Sequence, residues 1–77
     1  MNLACFYTKV IYWSDEDDCY VVEVPELTGC FSDGKTEQEA LSNVKSVIQE
    51  WLEVAEQEHI PIPQPRQYSR TQLFQSV

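Results

Sequence analysis

Residues 20–36 place signals for a strand, a corner, a second strand and a helix start close together, and a long amphipathic pattern follows. Residues 19–24 alternate as a strand, and Pro25 ends it because proline donates no ladder hydrogen bond. Gly29 supplies a backbone angle closed to other residues, as at a bulge or corner. This order of signals predicts two antiparallel strands joined by a short corner.

The second half of this run predicts a third strand and a helix start. Residues 30–32 form a short third strand, and Asp33-Gly34 favours a turn after it. Thr36 is the predicted N-cap, and Glu39 completes a capping box with it. Apolar residues then recur at the spacing of a single buried stripe, which predicts a helix ending near Glu58: Ala40, Leu41, Val44, Val47, Ile48, Trp51, Leu52 and Ala55.

The first predicted strand, residues 3–13, is largely apolar on both faces. A strand exposed on one side shows polar residues at every second position, so we expect a helix on one face and a partner subunit on the other. This pattern predicts a homodimer or higher oligomer. A stiff connector at residues 60–65 precedes a weak strand pattern at residues 72–77. The predicted fold class is α+β: a three-stranded antiparallel meander, one long amphipathic helix, and a short fourth strand beside the first.

Charge restricts the classes of partner. The chain has 77 residues, enough for a single domain spanning 1–77, and thirteen acidic against five basic side chains give a formal net charge of -8. Such a field repels nucleic acid and anionic lipid and attracts basic partners, although a role in solubility alone stays open. We therefore predict neither direct nucleic-acid binding nor membrane binding. The candidate partner-binding residues are Asp15, Glu16, Asp17, Asp18, Glu50, Glu53 and Glu56.

The chemistry-bearing residues do not form a recognisable catalytic or metal-binding pattern. Three cysteines without a CxxC pair indicate reduced thiols and a cytoplasmic protein. His59 is a lone histidine at a helix end, and catalysis would need a positioned partner. The acidic run 15–18 lacks the glycine and glutamate of a calcium loop. We predict no enzyme activity, cofactor or metal, while a metal-dependent nuclease remains the alternative, with Glu23 and Asp33 as the only other candidate carboxylates beside the run 15–18.

Three pieces of the chain, running from about residue 5 to residue 65, resemble the HicB-like antitoxin family. Their order and spacing make the combination fairly specific, although each is weak alone. They are the acidic turn into Tyr20-Val21-Val22; Val24-Pro25-Glu26-Leu27 with Gly29-Cys30-Phe31-Ser32, Gly34 and Thr36; and Glu39-Ala40-Leu41 with Trp51 and Pro61-Ile62-Pro63.

This resemblance implies a partner and a fold. Members of the family bind and block HicA-like toxins, which are small basic ribonucleases. Their N-terminal domain looks like a partial ribonuclease H fold without its catalytic acids, and many members add a C-terminal DNA-binding domain. The residues after 66 are too few for a helix-turn-helix, so we expect a short member without that domain. The alternative to an antitoxin is an orphan structural or ligand-binding oligomer.

Overall fold

The computed structural model describes residues 6–68, which form a three-stranded antiparallel sheet and one long helix. The strands are β1 (Val10–Ser14), β2 (Cys19–Glu23) and β3 (Phe31–Gly34), in the order β1-β2-β3, and the helix is α1 (Glu37–Gln57). The predicted α+β class, meander and helix are therefore confirmed. The predicted fourth strand at residues 72–77 lies outside the described residues, and the likeness to ribonuclease H stays a prediction.

The first strand is shorter at its start than predicted. Residues 6–9 are not strand. The backbone N–H of Thr8 donates to both carboxylate oxygens of Glu26 at 3.1 Å, so it does not take part in a ladder. Tyr7 is 3% exposed and belongs to the core. The strand prediction was wrong over these residues because a hydrogen bond between distant residues replaces strand pairing there.

The corner between β2 and β3 is closed by backbone hydrogen bonds. Val24 N–H donates to Cys30 O at 3.0 Å, and Cys30 N–H donates to Leu27 O at 3.0 Å. Gly29 has a φ of 76°, a left-handed angle that favours glycine, as the sequence predicts. Asp33 and Gly34 were predicted as a turn, but both continue β3. Gly34 is buried against the backbone of Ala40, so the chain reverses only after it.

The helix begins and ends with side-chain and backbone caps. Thr36 is the N-cap, and its hydroxyl accepts from the Glu39 N–H at 3.0 Å. At the other end His59 has a φ of 57°, while Ile60 N–H donates to Ala55 O at 2.8 Å and His59 N–H donates to Glu56 O at 3.4 Å. This pair of bonds is a Schellman motif. His59 therefore has a structural role at the helix end.

One face of the sheet carries the core. Cross-strand partners share a face, and the register Trp13↔Tyr20↔Gly34 with Ile11↔Val22↔Ser32 defines the face under α1. The largest fully buried side chains belong to this layer and to the β2–β3 corner: Leu27, Ile48, Val22 and Val44. The predicted stripe of α1 is confirmed, since its members are buried or pack against this core.

Candidate functional site

The β1–β2 turn presents the first predicted acidic group, the turn carboxylates Asp15, Glu16, Asp17 and Asp18, all of them exposed. Local hydrogen bonds hold two of them. Trp13 Nε1 donates to Asp15 Oδ1 at 2.8 Å. The Ser14 hydroxyl donates to Asp17 Oδ2 at 3.1 Å. The turn therefore presents ordered carboxylates that keep further acceptor capacity toward solvent.

The second predicted group, the helix carboxylates Glu50, Glu53 and Glu56, is exposed on the C-terminal half of α1. Trp51 Nε1 donates to Thr28 O at 3.0 Å, which places this half beside the β2–β3 corner. The turn carboxylates lie at the other end of the sheet, where Gly34 leads into the helix start. A helix of 21 residues is about 30 Å long. The structure therefore does not bring the two predicted groups together.

A different set of residues comes together on the sheet face opposite α1. The register Val10↔Glu23↔Phe31 with Tyr12↔Val21↔Asp33 defines this open sheet face, made of Val10, Tyr12, Val21, Glu23, Phe31 and Asp33. It holds a shallow depression of about 290 Å³, which Asp17 of the turn carboxylates also lines. An aromatic and aliphatic centre is thus bordered by three carboxylates.

The aromatic groups of the open sheet face are exposed but held in place. Phe31 is 63% exposed and Tyr12 is 43% exposed. The Tyr12 hydroxyl donates to Glu23 Oε2 at 2.5 Å. This hydrogen bond, with smaller contributions from desolvation and nearby carboxylates, raises the pKa of Tyr12. Tyr12 therefore stays a neutral donor at physiological pH and orients the Glu23 carboxylate.

Sequence reasoning named none of the open-face residues as partner-binding residues. Glu23 and Asp33 were considered as metal ligands, Asp33 also as part of a turn, and Tyr12 and Phe31 as strand positions. Period-two alternation does place residues 21 and 23 on one face of their strand. The register between strands, which the sequence does not supply, was needed to bring Tyr12 and Asp33 beside them.

A second, more apolar groove lies at the C-terminal end of α1. Its volume is about 520 Å³. Val54 and Ile60 are exposed beside it, at 52% and 46%. The groove is lined by Glu26, Thr28, Trp51, Val54, Ala55, Ile60, Pro61 and Pro63. The predicted connector after the helix thus forms one wall of a groove.

Glu26 joins three separate segments of the chain. Its carboxylate accepts from the Thr8 N–H, from the Thr8 hydroxyl at 2.9 Å and from the Arg66 N–H at 2.9 Å. Burial favours the neutral carboxyl, but the hydrogen bonds from Arg66 and Thr8 outweigh it and hold the pKa of Glu26 below its usual value. The Tyr7 hydroxyl donates to Pro63 O at 2.6 Å beside it. Glu26 therefore positions the connector that walls the groove.

The described residues do not form an evident reactive centre. Between residues 6 and 68, the His, Cys, Asp and Glu side chains include no group of three or more that could hold a metal ion. Burial, with nearby carboxylates, raises the pKa of Cys19, and burial raises the pKa of Cys30. Both are free thiols and stay protonated at neutral pH. In the same part of the chain, α1 is too polar to cross a membrane and is the one helix present.

These features describe an acidic α+β domain with exposed carboxylates and an exposed apolar sheet face. The chain belongs to a family described as HicB_like antitoxin of bacterial toxin-antitoxin system, whose model matches residues 7–75. The family that the sequence resembles is therefore confirmed.

Relatives of known sequence support this assignment. A UPF0150 protein of Thermoplasma acidophilum is 48% identical over 54 residues, covering 70% of this chain and 78% of the relative. A UPF0150 protein of Synechocystis is 43% identical over 58 residues, covering 75% and 81%. No solved structure gives a significant match to the chain.

Proposed function

We propose that this protein is an antitoxin that neutralises a small basic ribonuclease toxin of the HicA-like kind by direct contact. The observation that carries the proposal is the match to the antitoxin family over residues 7–75. The formal net charge of -8 supports it, because a field of this sign attracts a basic protein. In this proposal the protein acts by binding, without catalysis and without a cofactor.

Competition for cations is the proposed means of inhibition. A ribonuclease presents Lys and Arg side chains where it holds RNA phosphates. Carboxylates can occupy the same positions and exclude RNA. The turn carboxylates and the helix carboxylates are the proposed contacts, and because they lie at opposite ends of the domain each acts as a separate contact region.

The size of the electrostatic contribution can be estimated from exposed ion pairs. Each such pair contributes about 0.2–1 kcal/mol, so three together contribute about 0.6–3 kcal/mol. That corresponds to a roughly 3- to 150-fold change in Kd. Their larger effect is on the association rate and its dependence on salt.

The test compares two triple variants with the parent chain. One replaces Asp15, Asp17 and Asp18 with Asn, and the other replaces Glu50, Glu53 and Glu56 with Gln. Binding to a HicA-like toxin is measured by calorimetry at low and high salt. We expect weaker binding and a flatter salt dependence in at least one variant. If both variants bind as tightly as the parent at low salt, the turn and helix carboxylates serve solubility only.

An RNA cleavage assay separates this function from a metal-dependent nuclease. The chain alone is incubated with RNA while magnesium or manganese is titrated. The proposal expects no cleavage by the chain, and loss of toxin cleavage when the chain is added. Metal-dependent cleavage that disappears in Asp17→Asn would replace the binding function with catalysis.

We also propose that the free protein is a homodimer or higher oligomer in the cytoplasm, where a ribonuclease toxin finds its RNA. The two apolar faces predicted for the first strand motivate this oligomer. Light scattering that gives a mass of 9.0 kDa at micromolar concentration would contradict it. Direct DNA binding is not part of the proposal.

A further inference from the structure

The open sheet face carries exposed apolar side chains and has no covering element in the described part of the chain. Phe31, Val10 and Tyr12 on it are 63%, 46% and 43% exposed. Across residues 6–68 the only helix packs on the other face, through β3 and β2. Exposed aromatic groups grouped in this way are typical of interaction sites rather than of ordinary surface.

Carboxylates border this apolar centre on several sides. Glu23 is the direct cross-strand partner of Phe31, and Asp33 is the partner of Val21. Asp17 lines the same depression from the β1–β2 turn. The nearby cation is Lys35. It lowers the pKa of Cys19, which lies on the open side of the sheet, but burial and Asp33 raise that pKa by more. The depression itself is lined by three carboxylates and no cation.

This arrangement of charge decides between two occupants. In a two-fold dimer the same patch meets itself, so a second copy would bring six carboxylates into one interface between two chains of formal net charge -8. Burying carboxylates without cationic partners is strongly unfavourable. The uncovered face of the first strand, which motivates the proposed oligomer, is therefore a poor surface for a second copy, and self-association has to use another surface.

A cationic partner suits both the apolar centre of the open sheet face and the carboxylates that border it. A guanidinium group can stack on Tyr12 or Phe31 while it bonds a carboxylate at two points. Glu23 lies beside both rings, paired with Phe31 in the register and hydrogen-bonded to the Tyr12 hydroxyl. Arginine suits such a stacked, bidentate site better than lysine does.

We propose that the open sheet face is the docking surface for an arginine-bearing, cationic protein surface, with Phe31 and Tyr12 as apolar anchors and Glu23 and Asp33 as charge partners. This inference rests on the proposed function, since the toxin is the partner it describes. It differs from that function in placing the main contact on the open sheet face, with the turn and helix carboxylates as secondary contacts. Exposed carboxylates alone give mainly rate enhancement, whereas buried aromatic anchors control dissociation.

The variants are chosen so that charge is matched. The test variant carries Glu23→Gln and Asp33→Asn. The control carries Glu37→Gln and Glu58→Gln, which remove the same charge from exposed positions outside all the proposed contacts. Phe31→Ser tests the apolar anchor, and its side chain is exposed enough for the fold to survive. Circular dichroism at increasing temperature verifies folding of each variant.

The first measurement uses a nona-arginine peptide, with nona-lysine for comparison, and follows backbone amide shifts of the full chain by NMR. We expect the largest shifts in β1, β2 and β3, and tighter binding of the arginine peptide. Glu23→Gln with Asp33→Asn should weaken this binding by about tenfold, as for loss of two charge-assisted contacts, and the control by much less. Shifts concentrated at the turn or helix carboxylates would overturn the inference.

The second measurement uses a HicA-like toxin and separates the two proposals. If the parent chain fails to bind the toxin, the proposed function fails. The amide shifts caused by the arginine peptide then decide whether the open sheet face binds cations. If the parent binds but the Glu23/Asp33 variant matches the control, only the present inference fails. Light scattering adds a further outcome: a dimer that Phe31→Ser converts to a monomer would assign the open sheet face to a second copy instead.

Discussion

Replacing Gly34 with alanine should destabilise this protein severely, because there is no room for a side chain where β3 meets α1. A Cβ atom at this position would lie 2.4 Å from Ala40 N, 2.9 Å from Ala40 Cα and 2.9 Å from Glu39 C. Ordinary van der Waals contact begins at 3.4 Å. All three atoms belong to the helix backbone, so no side chain can rotate away. The first turn of α1 would have to move by about 1 Å, and well-packed interiors resist such shifts.

The expected loss in the free energy of unfolding follows from this displacement of the helix. Overpacking a core costs typically about 1–3 kcal/mol and occasionally more, and a clash between two backbone segments belongs at the upper end. We therefore expect a loss of about 3 kcal/mol. A domain of this length has a free energy of unfolding of about 4–12 kcal/mol. One methyl group would thus remove at least about a quarter of the total.

Urea denaturation followed by tryptophan fluorescence measures this loss. With a slope of about 1 kcal/mol per molar urea for a small domain, the midpoint should fall by about 3 M. Gly29→Ala is the matched control: nothing lies within 4 Å of its added Cβ, but its φ of 76° is left-handed. Left-handed backbone costs a non-glycine residue about 1–2 kcal/mol. If Gly34→Ala loses no more stability than Gly29→Ala, the steric reasoning is wrong.

Substitutions at three further residues test the contacts that shape the domain. Glu26→Gln should lower stability at neutral pH because the hydrogen bonds from Thr8 and Arg66 favour the ionised carboxylate. The lowered pKa means that this contribution is present above the usual value of 4.5 and is lost as the pH falls through the folded-state pKa, so urea midpoints of parent and variant should converge in acid. Trp51→Phe removes the hydrogen bond to Thr28 O, which contributes about 1 kcal/mol, and also part of the ring that packs against the core. We expect the urea midpoint to fall, and an unchanged midpoint would show that this bond contributes nothing net. Thr36→Ala removes the N-cap of α1 and should cost about 0.5–2 kcal/mol, whereas Thr36→Ser should restore most of it in the same thermal unfolding measurement.

The separation of acidic groups bears on how the protein could inhibit a ribonuclease. The turn carboxylates and the helix carboxylates lie at opposite ends of the domain. The open sheet face starts beside the turn carboxylates, and Asp17 of that group lines the depression on the open sheet face. A compact toxin docked on the open sheet face can therefore also reach the turn carboxylates, but the helix carboxylates lie on the helix side of the sheet. We expect variants of the helix carboxylates to have the smaller effect on toxin binding.

Local signals in the sequence were sufficient for the sheet order, for the helix and for the family, although not for every strand boundary. The Thr36 cap, the apolar stripe of α1 and the left-handed Gly29 were predicted correctly. Each of these features depends on residues that are near neighbours in the sequence. The sequence alone is therefore enough to predict it. The order of these signals also identified the antitoxin family that the comparison confirms.

Only the tertiary structure decided which distant residues meet. The hydrogen bond from Thr8 to Glu26 ends the strand pattern of residues 6–9, although their alternation favours a strand. The register of β1 against β2 and of β2 against β3 places Tyr12 beside Val21 and Asp33, and so forms the open sheet face. Register and long-range hydrogen bonds follow from the packing of the whole core, and a one-residue slip would turn every side chain of a strand to the other face. For that physical reason the sequence alone indicated an acidic binding protein, whereas the three-dimensional structure was needed to show which residues share the open sheet face.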